Sequence, residues 1–179
     1  LSPRSIQRRL SGARSFMNYL IREGQLKSNP GADVSAPQAP RKLPNTLDVD
    51  QLAQLLKSDG EEPETVRDRA MLELFYSSGL RLSELVGLDL GAVDLADGTV
   101  RVTGKGNKTR IVPVGRHART EIAAWLKVRV QLARNEEKAL FVGPRGNRIS
   151  PRTVQMRVQH WALRAGVSQR VYPHLFRHS

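Results

Sequence analysis

Cysteine is absent from the 179 residues, which excludes disulfide bonds and thiolate metal sites. The four histidines have no zinc-ligand spacing. No run of about 18 apolar residues is present, and no signal-peptide pattern. A soluble cytoplasmic protein without membrane insertion is the resulting expectation. Acidic residues are scarce and unevenly placed. The 17 Asp and Glu stand against 29 Lys and Arg, a formal net charge of +12. None follows Glu137, whereas Lys138, Arg145, Arg148, Arg152, Arg157, Arg164, Arg170 and Arg177 all do. Such a surplus implies an anionic partner. The charges alternate with apolar positions at helical spacing and do not form a tail, which favours nucleic acid over a merely solvated basic face.

What is present reads as a mainly α chain with a small antiparallel β-hairpin. Residues 3–23 have the pattern of an amphipathic helix, with Ser2 as N-cap and Pro3 at the first helical position. Its apolar positions Ile6, Leu10, Ala13, Phe16, Met17 and Leu20 have no local partner, so residues 1–28 are expected to be the last helix of a domain whose earlier part is missing. Arg4, Arg8, Arg9 and Arg14 lie along it, within reach of a phosphate backbone. Residues 29–45 read as a linker, since four prolines in the sixteen residues 29–44 hold the chain extended. A compact domain is expected over 46–179. Its elements are a helix at 49–57 capped by Asp48, a helix over 65–77, a hairpin over 98–114 and a helix over 117–133. A short apolar piece at 140–142 could be a strand, 144–148 is a turn, and a helix starts at Ser150 and Pro151. No internal repeat is evident. The final segment, from Tyr172 through Pro173 to Ser179, starts a helix that would stop within two turns, so the chain is expected to be truncated there.

Chemistry concentrates around Gly79, Arg81 and Glu84. Gly79 interrupts an apolar helix, and a second helical segment opens with Arg81 and Glu84 on one face. The apolar sides of both segments can bury themselves, which would hold Arg81 at a rigid junction with Glu84 as its hydrogen-bond acceptor. Taken alone, the pair is equally a surface ion pair of little consequence. His174 and Arg177 repeat the spacing of three at another helix start, and Lys105 sits at the hairpin tip. Two guanidinium forks can hold the non-bridging oxygens of a phosphodiester transition state. A lysine on a turn suits a general acid delivered to a leaving oxygen. No acidic cluster of the kind that holds Mg²⁺ accompanies these residues, which disfavours a metal-dependent nuclease.

Gly79-Leu-Arg81-Leu-Ser-Glu84-Leu, Gly104-Lys105-Gly-Asn-Lys and His174-Leu-Phe-Arg177-His-Ser resemble the signature boxes of the tyrosine recombinase (phage integrase-like) family, in wording nearest its bacterial Xer branch. The resemblance implies a C-shaped, two-domain clamp on double-stranded DNA, with a mostly helical catalytic domain carrying a small sheet. It implies that Arg81 and Arg177 grip the scissile phosphate and that Lys105 protonates the 5′-oxygen leaving group. His174 would donate to the phosphate, and Glu84 would orient the active-site groups. The helix from Ser150 would enter the major groove, with Arg152 reading guanine and Gln155 beside it. Arg148, Arg157 and Lys108 would contact phosphates, which position without reading sequence. No metal or nucleotide cofactor is implied. The implied partners are a dif-like core site, a XerD-like recombinase in a heterotetramer, and an FtsK-like DNA translocase. In this family a second histidine or tryptophan and then the nucleophilic tyrosine lie beyond the His-x-x-Arg box. Tyr19, Tyr76 and Tyr172 do not occupy that place, so residues 1–179 are expected to bind DNA without cleaving it. The alternative is a basic helical module that only binds DNA.

Overall fold

The computed structural model describes residues 1–38, 60–167 and 171. The chain divides into two compact units, Leu1–Pro44 and Asn45–Ser179. In the first, helix α1 spans Pro3–Arg22, with the Ser2 hydroxyl accepting from the Ser5 amide and Pro3 in the first turn. Proline is tolerated there because that amide has no intrahelical partner. None of the helix is buried, and Phe16 and Tyr19 stay largely exposed. The start of the proline-rich stretch is not free-standing. Arg14 donates to the carbonyls of Gly31, Ala32 and Val34 at 2.7, 3.1 and 2.6 Å, and Gln7 donates to Pro37 at 2.8 Å. Arg14 is therefore committed to internal carbonyls, not the free cation expected from sequence. Arg4 and Arg8 remain exposed on α1.

The second unit is organised around α2, Pro63–Ser78, which buries Val66, Ala70, Met71, Leu72, Leu74 and Phe75. A helix covered on nearly all sides belongs to the centre of a fold, and each large apolar side chain buried here contributes about 1.5–3 kcal/mol. Gly79 ends it in the left-handed region (φ 54°, ψ 37°), its amide returning to the Phe75 carbonyl. A Cβ is disfavoured there, so the glycine permits the sharp exit. Leu80 and then the extended Arg81 lead into helix α3, Leu82–Val86. The sequence pattern places Arg81 inside this helix; the structure makes it the N-cap instead.

Three antiparallel strands follow, in the order β1–β2–β3: Val93–Asp94, Thr99–Thr103 and Thr109–Pro113. The hairpin matches its expected span, while the two-residue β1 carries too little alternation to be recognised in sequence. Val100 and Val102 point inward from β2, and Arg101 and Thr103 outward. Helix α4, Arg116–Val128, packs along α2, and a 3₁₀ turn, Arg129–Gln131, replaces the last turn of the expected helix. Residues 139–142 are fully buried but form only isolated bridges, Asp89 with Ala139 and Val142 with Arg148. Trp125 Nε1 donates to the Leu140 carbonyl at 2.9 Å, and Arg129 donates to the carbonyls of Glu137 and Ala139. Side chains here share the work of a strand partner with the Leu88 carbonyl, which accepts from the Leu140 amide, and the Ile149 amide, which donates to the Phe141 carbonyl. Helix α5, Pro151–Arg164, starts as expected, with the Ser150 hydroxyl accepting from the Thr153 amide at 3.1 Å. The expected helix at 49–57 lies outside the described residues, as does the whole terminal segment 172–179. No helix among the described residues is long and apolar enough to cross a membrane.

Asp68 ties α2 to α5. Its carboxylate, fully buried, accepts from Arg67 Nε and Nη2 at 3.0 and 2.8 Å, from Trp161 Nε1 at 2.9 Å, and from Arg157 Nε. Arg67 is equally buried and also donates to the Val142 carbonyl at 3.1 Å. Buried charge is tolerated only when paired and hydrogen-bonded, so removing one partner exposes the full penalty of the others. Asp68→Ala is expected to destabilise the protein by about 3–5 kcal/mol in urea unfolding, the range found when one partner of a buried ion pair is deleted.

Candidate active site and nucleic-acid interface

The Glu84 side chain is 1% exposed, yet it is charged and sits at the floor of an open cleft. The cleft has a volume of about 760 Å³ and is lined by Arg81, Ser83, Glu84, Thr103, Gly104, Lys108, Thr109 and Arg110. Four donors converge on the carboxylate. The Arg81 amide reaches Oε2 at 2.8 Å and Arg81 Nη1 reaches Oε1 at 2.9 Å. Arg110, from β3, places Nη1 on Oε1 at 2.7 Å and Nη2 on Oε2 at 3.0 Å. The amide bond is half of a capping box and lets α3 begin at Leu82. The Arg110 contact is a two-pronged fork. Both guanidiniums stay open to solvent, Arg81 at 57% and Arg110 at 41%. The arrangement thus buries the negative charge and presents the positive charges to the cleft.

Lys105 lies in the short 3₁₀ turn Lys105–Asn107 that joins β2 to β3. The Gly104 amide closes this turn on the Lys108 carbonyl at 2.9 Å, and Gly106 and Asn107 both take positive φ, 75° and 57°. Gly104 and Lys108, which flank the turn, line the same cleft as Arg81. His174 and Arg177 lie outside the described residues. Arg152 and Gln155 are exposed on the first two turns of α5, beside a separate concavity that also involves Met156, Gln159 and His160. Lys108 is exposed at the cleft rim.

Two further expected phosphate contacts have internal partners. Arg148 donates to the carbonyls of Val86 and Leu88 at 2.8 and 3.1 Å and pairs with Asp89. Arg157 pairs with buried Asp68 and lies over Trp161. Sequence reasoning treats both as free cations, because their carboxylate partners lie 59 and 89 residues away in the chain. It also misses Arg110, whose only sequence signal is a charge on the outward face of a β-strand near the hairpin turn. Tyr76 is about half exposed on α2, Tyr19 likewise on α1, and Tyr172 lies outside the described residues. Among the described residues no group of His, Asp and Glu is placed to hold a metal ion.

The profile of the phage integrase family matches residues 45–179. The chain therefore belongs to that family, the tyrosine recombinases. It is 50% identical over its whole length to the tyrosine recombinase XerC of Haemophilus influenzae and 51% identical to that of Salmonella typhi. It spans about 60% of the length of these curated relatives. Among solved structures, the XerA recombinase superposes with a TM-score of 0.70 at 24% identity, covering 99% of this chain and 66% of that one. XerH bound to its difH substrate before cleavage gives a TM-score of 0.67 at 23% identity, covering 91% of this chain and 48% of that one. These likenesses establish the mostly helical fold with its small three-stranded sheet.

The donors around Glu84 hold its carboxyl down to about 2, the Arg110 fork most of all, with the Arg81 amide and guanidinium adding to it against the opposing effect of burial. The unfolded chain titrates near the ordinary glutamate value of about 4.3. A depressed folded-state value means that this stabilisation is present above that range and is lost as pH falls toward about 2. Glu84→Gln should remove that part of the acid sensitivity. The check is denaturant unfolding from pH 6 to pH 2; the variant's stability should fall less steeply than that of the unmodified protein.

Proposed function

We propose that this chain is the larger part of a XerC-like site-specific DNA recombinase. It cuts and rejoins strands through a 3′-phosphotyrosyl intermediate, without a metal or nucleotide cofactor. The observation that carries this reading is the cleft that Arg81, held by a buried carboxylate, shares with Gly104 and Lys108, the residues flanking the turn that bears Lys105. In the proposed step a tyrosine oxygen attacks the scissile phosphorus, and the bond from phosphorus to the 5′-oxygen breaks. Arg81 and Arg177 hold the non-bridging oxygens, His174 donates to them, and Lys105 supplies the proton to the departing 5′-oxygen. Fixed donors aimed at developing charge need no reorganisation during reaction.

Arg152 and Gln155, exposed on α5, are assigned to base contacts, and Lys108, Arg4 and Arg8 to phosphates. Arg148 and Arg157 are assigned instead to holding the approach to α5 and the helix itself, given their partners Asp89 and Asp68. The cellular setting proposed is the cytoplasm, in chromosome partition at cell division. There the protein would act on a dif-like site with a XerD-like recombinase in a heterotetramer, under an FtsK-like translocase. The domains proposed are the terminal helix of a core-binding domain in 1–28, a linker in 29–45 and a catalytic domain in 46–179. Residues 1–179 alone are proposed to bind duplex DNA without a covalent link, since no tyrosine stands where the family places its nucleophile.

The test is covalent trapping in EDTA, using the protein with its natural C-terminal extension, a XerD-like partner and a nicked core-site duplex. A protein–DNA adduct on a denaturing gel is expected from the extended protein and not from residues 1–179. Tight binding without any adduct would favour a non-catalytic DNA-binding module. Lys105→Ala should cut adduct formation by about 10²–10⁴-fold, the usual range for a lost general acid, with binding little changed. A loss confined to binding would remove Lys105 from the chemistry.

A further inference from the structure

Arg110 is neither on the helix that carries Arg81 nor in the turn that carries Lys105, yet it touches the group that holds Arg81. Its fork closes on both oxygens of Glu84, and Glu84 takes both the amide and the guanidinium of Arg81. Along β3 it pairs with Val102, one rung from the Thr103–Thr109 pair that ends the ladder before the Lys105 turn. The same guanidinium lines the cleft. From this geometry we infer that Arg110 is a positioning residue for strand cleavage, clamping the base of the β2–β3 hairpin to the Arg81 junction.

Two physical effects follow. The first is mechanical. A two-pronged contact between a guanidinium and a carboxylate fixes angle as well as distance, so the turn bearing Lys105 is held in register with Arg81. The second is electrostatic. Glu84 alone would neutralise Arg81, and a phosphate entering the cleft would meet an ion pair. With Arg110 present, two positive charges share one negative charge, leaving a net positive junction toward the DNA. Glu84 also stays ionised, because its strongest single stabilising contact is the Arg110 fork.

This inference rests on the recombinase reading, and its test separates the two. Single-turnover cleavage of a nicked core-site duplex is measured with the full-length protein and its partner recombinase, alongside equilibrium DNA binding and thermal melting. Arg110→Ala should slow cleavage on the order of a hundredfold, the scale expected when reacting groups are displaced by about 1 Å. Binding should change little, while melting should fall modestly, because the buried Glu84 carboxylate loses two of its four donors. Arg110→Lys restores the charge without the fork, so cleavage should recover only in part. Unchanged cleavage by Arg110→Ala, beside an active unmodified protein, would overturn the inference alone. So would a parallel loss of binding, melting and cleavage, which marks a general structural role. Absence of any adduct from the unmodified protein would overturn the recombinase reading and this inference with it.

Discussion

A carboxylate that is buried while charged must be surrounded by donors, and Glu84 meets that requirement from two separate pieces of chain. The Arg81 amide belongs to the break after α2, the Arg81 side chain to the cleft, and Arg110 to a strand 26 residues later. Because desolvating the carboxylate is tolerable only with all of these in place, the break, the cleft wall and the hairpin base are specified together. The apolar core beneath, with Leu80 and Leu85 almost fully buried, supplies the stable platform. The ion cluster above it sets the angles.

Asp68 plays the corresponding part between α2 and α5. It gathers Arg67 from its own helix with Arg157 and Trp161 from α5. The two clusters change the meaning of the basic surplus. Five of the arginines are held by internal partners: Arg14 on linker carbonyls, Arg67 and Arg157 on Asp68, Arg129 on the carbonyls of Glu137 and Ala139, and Arg148 on Asp89. Arginine suits these places because its planar fork satisfies several acceptors at once. The cations left facing solvent on α5 and at the cleft rim are fewer than composition suggests, and their location carries more information than their number.

Helix starts were legible because their chemistry is local. Ser2 with Pro3 and Ser150 with Pro151 satisfy first-turn amides within three residues, and the structure uses both serines as caps. The hairpin was legible for the same reason, through alternating β-branched residues about a Gly- and Asn-containing turn. Segment 140–142 was not, because its backbone is satisfied by Trp125, Leu88 and isolated bridges and not by a continuous ladder. The two-residue β1 had no periodicity to detect.

The residue types and spacings in the sequence determined the family, the fold class and the pairing of Arg81 with Glu84, since each depends on neighbours a few positions apart. Tertiary structure alone decided which arginines are structural and which face the cleft, and it alone brought Arg110 to Glu84. The physical reason is range. Capping and helical periodicity act over one or two turns of chain, whereas a buried carboxylate takes its donors from wherever folding delivers them, here as far as 93 residues along the sequence.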